Sequence, residues 1–159
     1  MNDFIVLVTT SWRLLGQGIM MTILLWVVTA SLSLTVGLWW GILRSDKLRR
    51  VGIAQGLDAV TFVLRGVPCY VQLLLAYFVI PDLLGINIPA FASAALSLGL
   101  CSAAYVSQIV RGCTNAIVDG QWLAAQSLGY SMVQTLRFVV IPQMLRAALP
   151  ALTGELDQL

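Results

Sequence analysis

The feature that most constrains this chain is a long uncharged segment between Arg13 and Arg44. It contains the apolar run 19–43, which is longer than the roughly 20 residues that an α-helix needs to cross a bilayer. Over the whole chain 59% of the residues are hydrophobic and 10% are charged, whereas soluble domains carry about 25% charged residues. The sequence therefore predicts an all-α membrane protein whose first span covers residues 17–43.

Three further apolar regions follow the first one. Residues 57–80 are interrupted by Arg65-Gly66 and Pro68, which predicts one span with a broken or re-entrant half. Residues 89–110 predict a third full span. Residues 146–159 would cover only about 21 Å as a helix, against a hydrocarbon core of about 30 Å, so they predict a partial fourth span. The expected fold is a polytopic transmembrane helical bundle that forms a single domain over residues 1–159.

The basic residues predict the orientation. They follow the first and third expected spans, whereas Arg13 and Asp82 lie at the opposite ends. Because Lys and Arg favour cytoplasmic loops, we expect the N-terminus outside and residues 112–143 in the cytoplasm. The basic residues used are Arg44, Lys47, Arg49, Arg50, Arg111, Arg137 and Arg146.

Several classes of activity lack support in the sequence. The chain has no histidine, and no Ser or Cys has a recognisable base nearby, so neither an enzyme nor a bound cofactor is expected. Cys69, Cys101 and Cys113 are too far apart for metal-ligand spacing and predict packing roles. No long basic block suggests a nucleic acid partner. Membrane lipid is the partner that the composition predicts.

The polar segment 112–143 predicts two short amphipathic helices with a glycine corner. Asp119 is positioned to cap the first helix, and Gly129 can take the left-handed conformation that ends it. Ser131 and Gln134 have the spacing of a capping box for the second helix. Small residues on one face would allow a partner to approach the backbone closely.

This segment resembles the signature loop of ABC importer permeases, in which Glu-Ala-Ala, three residues, Gly, nine residues and Ile-x-Leu-Pro contact the ATPase. Leu123 stands where that pattern has its acidic residue. The resemblance implies that this loop contacts cytoplasmic ABC ATPase subunits, which would hydrolyse the ATP. The residues assigned to this contact are Gly120, Gln121, Trp122, Leu123, Ala124, Ala125, Gly129 and Pro142.

Other motifs are similar to the polar amino acid (histidine/glutamine-type) branch of these permeases. They are Leu64-Arg65-Gly66-Val67-Pro68, Val71-Gln72-Leu73, Ala104-Tyr105, Gly120-Gln121-Trp122 and Pro142-Gln143. Departures occur at Val67, Gln108, Val118 and Asp119. The resemblance implies a multi-pass inner-membrane protein, apparently shortened at its C-terminus, with a second permease copy or paralogue and an extracytoplasmic substrate-binding protein as partners.

Arg65, Tyr105 and Gln108 are the candidate residues of a translocation pathway, because polar side chains in a span face a neighbour or a pathway. Arg65 could instead extend to the interface or pair with Asp58, and the other two could form interhelical hydrogen bonds. The resemblance implies a pathway-forming subunit of an ATP-driven importer of polar amino acids. The alternatives are a truncated, non-transporting scaffold or regulatory subunit, and a passive channel.

Overall fold

The part of the protein that the computed structural model describes, residues 2–48 and 51–159, is helical apart from short connections, and no β-strand occurs there. The all-α class is confirmed. Arg49 and Arg50, which entered the predicted orientation, lie outside the described residues. The continuous helices are α1 (Asn2–Leu43), α2 (Val51–Gly66), α3 (Cys69–Leu84), α4 (Ala90–Asn115), α5 (Asp119–Ser127) and α6 (Met132–Leu156).

Three of these helices are long and apolar enough to cross a membrane: residues Ser11–Leu43 within α1, and the whole of α4 and α6. Helices α2 and α3 also qualify as one broken span, with a bend of 100° between Gly66 and Cys69. The bend lies at Pro68, which precedes α3 in an extended conformation and has no backbone N–H to donate. The structure thus confirms a membrane-type helical bundle that contains a broken span.

Helix α6 starts well before the predicted partial span 146–159. Its 25 residues make it about 37 Å long, and it incorporates the segment expected to form the second short helix of the loop. A proline in a helix removes a backbone hydrogen bond, but here a π-helical turn, Leu136–Val140, directly precedes Ile141 and Pro142. This wider turn accommodates a proline without ending the helix. The same arrangement, Leu75–Val79, precedes Pro81 in α3.

Helices α1 and α4 pack against each other almost backbone to backbone. A Cβ atom added at Gly37 would lie 2.6 Å from Val106 Cβ, and one added at Gly41 would lie 2.5 Å from Val110 Cβ. In lipid the association of helices depends on such close packing and on interhelical hydrogen bonds. Helix α6 then covers the pair and completes a core of Ile42, Val106, Val110, Met144, Ala148 and Leu152.

A methyl group at Gly41 should disrupt this packing. In Gly41→Ala the new Cβ would meet Val110 Cβ at 2.5 Å and the Ser107 carbonyl oxygen at 2.7 Å, so we expect a loss of about 1–3 kcal/mol in the free energy of unfolding. Gly56→Ala in α2, where no atom lies within 4 Å, is the matched control. Detergent titrations followed by circular dichroism would measure both variants, and equal stability of the two would contradict the close contact.

Candidate functional site

A sharp elbow joins α5 to α6. Gly129 at the corner has a φ of 77°, a left-handed conformation that glycine adopts without steric cost. The amide N–H of Tyr130 returns to the Ala125 carbonyl oxygen at 3.1 Å. Ser131 and Gln134 then form the predicted capping box, with Gln134 N donating to Ser131 Oγ at 3.3 Å and Ser131 N donating to Gln134 Oε1 at 2.8 Å. The predictions for Gly129 and Ser131 are confirmed.

Asp119 does not cap α5, contrary to the sequence-based prediction. Val118 occupies the N-cap position without a side-chain hydrogen bond, and Asp119 lies in the first turn of the helix. Its carboxylate instead accepts a hydrogen bond from Lys47 Nζ, in the segment that follows α1. A negative charge is also favourable in the first turn of a helix because of the helix dipole. Asp119 therefore links α5 to the end of α1.

The two faces of α5 differ in character. Trp122 and Ala125 are buried and fix the helix against the rest of the chain. Leu123 is 61% exposed, and Ala124 beside it is also exposed. Helix α5 and the residue after it therefore present an exposed surface of small and apolar residues with one amide, which we call the α5 face; it consists of Gly120, Gln121, Leu123, Ala124 and Leu128.

Pro142 lies in α6 rather than in the loop, and the residue that follows it contacts α5. Its neighbour Gln143 donates from Nε2 to Gln121 Oε1 at 3.3 Å. The structure thus brings together both ends of the predicted ATPase-contact segment. Trp122 Nε1 is buried and has no hydrogen-bond partner within the described residues, so packing rather than hydrogen bonding anchors its ring.

A cavity of about 460 Å³ lies beside the break between α2 and α3. Arg65 and Tyr105, two of the three predicted pathway residues, both line it, and the guanidinium carbon of Arg65 lies 5.0 Å from the centroid of the Tyr105 ring. This distance is typical of a cation–π contact. The alternative pairing of Arg65 with Asp58 is not observed, because Asp58 faces Arg44 and Arg111 instead.

Sequence reasoning missed two polar residues of this cavity, Ser102 and Glu155. Ser102 Oγ donates to Glu155 Oε1 at 2.9 Å, and Ser33 Oγ in α1 donates to Ser102 Oγ at 2.8 Å. A carboxylate inside a spanning helix is itself a signal of function. Glu155 was not among the candidate residues because its partner Ser102 is 53 residues away in the sequence.

Gln108 does not line this cavity. Its Oε1 accepts a hydrogen bond of 3.3 Å from Nη2 of Arg44, at the end of α1. Gln108 therefore makes the interhelical hydrogen bond that was the alternative to a pathway role. It does not share the cavity with Arg65 and Tyr105.

The elbow depends on the left-handed conformation of Gly129. In Gly129→Ala we expect a cost of about 1–2 kcal/mol to the local stability of the corner, because a Cβ clashes with the following carbonyl oxygen in this conformation. Gly120→Ala, in α5 with no atom within 4 Å of the added Cβ, is the control. Faster amide hydrogen exchange across residues 127–134 in the first variant alone is the expected result. Unchanged exchange there would contradict it.

The helices and their exposed elbow define a class of protein: a polytopic membrane protein that carries a short exposed helix between two spans. The chain belongs to the family of binding-protein-dependent transport system inner membrane components, which matches residues 33–156.

Two relatives illustrate the similarity. The chain is 32% identical over 143 residues to the putative glutamine transport system permease protein GlnP of Rickettsia bellii (strain RML369-C), covering 90% of this chain and 65% of that protein. It is 37% identical over 141 residues to the arginine transport system permease protein ArtQ of Bacillus subtilis (strain 168), covering 88% and 63%. The chain thus spans just under two thirds of the length of these curated relatives.

Solved structures share the fold. A crystal structure of an amino acid ABC transporter with histidines superposes with a TM-score of 0.77 at 33% identity, covering 93% of this chain and 68% of that one. The MetNI methionine ABC transporter, in an inward-facing conformation, gives the same TM-score of 0.77 at 20% identity, covering 94% and 71%. At that lower identity the similarity concerns the fold alone.

Proposed function

We propose that this chain acts as a transmembrane subunit of an ATP-binding-cassette importer for polar amino acids. Family membership supports a transport role, and the exposed α5 face is the single structural observation that carries the coupling part of the proposal. The subunit itself does not hydrolyse ATP; cytoplasmic ABC ATPase subunits do so. It lies in an inner membrane, with its N-terminus outside and α5 on the cytoplasmic side.

Docking on the ATPase would use the α5 face. Its small residues let a partner approach the backbone, and Leu123 and Leu128 can fill apolar pockets, as a helix does when it binds in a groove. On the opposite side Trp122 anchors α5 to the chain, and Lys47 ties it to the end of α1. Movement of the ATPase would therefore displace the ends of the spans rather than α5 alone.

The cavity beside α2 would contribute to the pathway. Arg65 offers a cation for the carboxylate of an amino acid, Glu155 offers an anion for its ammonium group, and Tyr105 packs against the arginine. Both charges of a zwitterionic substrate would then have partners of opposite charge in the cavity. A second permease copy or paralogue completes the pathway, and an extracytoplasmic binding protein delivers the substrate.

Uptake by reconstituted vesicles tests the proposal. The chain would be combined with its ATPase subunits and binding protein and supplied with labelled glutamine or arginine, the amino acids that the names of the two relatives mention. We expect accumulation that requires ATP. Uptake that proceeds equally without nucleotide would contradict an ATP-driven importer.

A charge placed on the α5 face should weaken docking. In Leu123→Lys we expect retention of the ATPase subunits during purification to fall at least about tenfold, since an unpaired charge is then buried at the interface. Leu83→Lys is the matched control, because Leu83 is also exposed, at 77%, but lies at the end of α3. Equal retention with both variants would argue against docking through α5.

Arg65 should affect the affinity for substrate. Arg65→Gln removes the cation, so we expect the apparent KM for uptake to rise by about tenfold or more, as for loss of a charged hydrogen bond. Arg65→Lys should recover part of this loss. Arg137→Gln is the control, because Arg137 does not line the cavity. An unchanged KM in Arg65→Gln would remove this residue from the pathway.

A non-transporting scaffold or regulatory subunit is the alternative function. It is motivated by Leu123, which stands at the position of the acidic residue in the loop pattern. If uptake requires this chain and Arg65→Gln raises the KM, the chain contributes to the pathway and the alternative is wrong. If uptake requires the chain but Arg65→Gln leaves the KM unchanged, the alternative is favoured.

A further inference from the structure

A group of charged side chains joins three helices at the end of the bundle nearest α5. Arg44, at the end of α1, is only 4% exposed and donates from Nε to Asp58 Oδ1 in α2 at 2.7 Å. Its Nη1 donates to Ser107 Oγ in α4 at 2.8 Å. Arg111 of α4 approaches the same carboxylate oxygen at 3.5 Å. We call Arg44, Asp58 and Arg111 the ion cluster.

Apart from the ion cluster, few polar contacts hold α2: the contact of Arg65 with the Tyr105 ring, and the hydrogen bond that Gln72 Nε2 donates to the Leu64 carbonyl oxygen at 2.7 Å. Ala54 and Thr61 are its only buried residues among those whose side chains are described, and both are small. Large apolar residues such as Phe62, which is 79% exposed, face outward. Because lipid is as apolar as these side chains, it supplies no hydrophobic force that presses α2 inward. The contacts of Asp58 therefore form a large share of what fixes this helix.

Asp58 also lies on the same face of α2 as the cavity arginine. Arg65 follows it by seven residues, which is two helical turns and about 10 Å along the axis. Any displacement of α2 that breaks the contacts of Asp58 therefore also moves Arg65 relative to Tyr105, which is carried by α4.

The other side of the ion cluster leads to α5. Arg111 Nη2 lies 3.7 Å from Asp46 Oδ1, and Asn115 Nδ2 donates to Asp46 Oδ2 at 2.8 Å. The next residue, Lys47, is bonded to Asp119 at the start of α5. A continuous set of polar contacts thus runs from the docking helix through residues 44–47 to α2.

We propose that Asp58 is a positioning residue whose ion pairs hold α2 against α1 and α4, and thereby set the place of Arg65 in the cavity according to the position of α5. The ion pairs of the cluster break when α5 moves, because residues 44–47 move with α5 and the carboxylate of Asp58 then loses its partners. Helix α2 shifts as a unit as a result, and Arg65 shifts with it. The transport consequence of this inference rests on the proposed function, whereas the placement of α2 does not.

Spin-label distances across the α2–α4 contact test the placement directly. Labels would be attached at Phe62→Cys and Leu96→Cys, both exposed positions, in the full chain in lipid nanodiscs with the three native cysteines replaced by alanine. We call α2 held when the label distance is that of the unaltered chain, and displaced when the distance is longer. In Asp58→Asn we expect the ratio of displaced to held molecules to rise about tenfold, as for loss of a charged hydrogen bond. Asp58→Glu should restore most of the held population.

Asp82→Asn is the matched control, because it removes the same charge from α3 at the far end of the broken span. The same distance distribution in Asp58→Asn as in the unaltered chain would overturn the proposal, and so would displacement of equal size in Asp82→Asn. If Asp58→Asn does not fold, Arg111→Gln compared with Arg137→Gln carries the test. A rise in the displaced population in Arg111→Gln alone supports the proposed role of the ion cluster. Equal distance distributions in Arg111→Gln and Arg137→Gln overturn it.

A transport measurement separates this inference from the proposed function. In reconstituted vesicles Asp58→Asn should raise the apparent KM for uptake and lower the uptake per ATP hydrolysed, and Asp58→Glu should recover both. A structural defect that merely lowered the amount of folded protein would reduce the maximal rate and leave KM unchanged. If the distances change as expected but the unaltered chain shows no ATP-dependent uptake, the proposed function fails and the placement of α2 by Asp58 stands.

Discussion

The close approach of α1 and α4 is the contact on which the rest of the structure depends. The hydrophobic effect, which stabilises the cores of soluble proteins, is weak between helices in lipid. Helix association therefore depends on shape complementarity and on hydrogen bonds between helices. Gly37 and Gly41 provide the shape, and the hydrogen bond from Ser33 to Ser102 provides a polar bond across the same seam. The core residues of α6, Met144 and Ala148, then pack onto a surface that exists only because the first two helices meet so closely.

The broken span, α2 with α3, does not belong to this closely packed core. Helix α2 contributes few buried side chains, and its ion pairs are made by Asp58 near its middle, whereas the cavity lies near its C-terminal end. The bundle therefore consists of a closely packed part, α1 with α4 and α6, and a sparsely packed helix, α2. Changes of conformation in packed proteins are generally of this kind, because well-packed cores move as rigid units and sparse interfaces absorb the difference.

Much of this organisation could be predicted from the sequence. The apolar runs located α1, the broken span and α4 but not the start of α6. The Gly66 to Pro68 region located the break, and local turn chemistry located the corner at Gly129 and the cap at Ser131. These features are determined by neighbouring residues, so a linear pattern contains them. The cap assigned to Asp119 was wrong because its partner, Lys47, is distant in the sequence. The relation of Glu155 to Ser102, and that of Gln108 to Arg44, depend on helix packing in the same way.

The π-helical turns before Pro81 and Pro142 change the face of the helix on which the side chains before and after each turn lie. A π-helical turn contains one extra residue, which rotates everything beyond it by about 100° around the helix axis. In α6 the five residue steps from Thr135 to Val140 would give a net rotation of about 140° in a regular α-helix, and the extra residue reduces this to about 40°. The buried residues Thr135 and Val140 therefore share one face with Met144, Ala148 and Leu152.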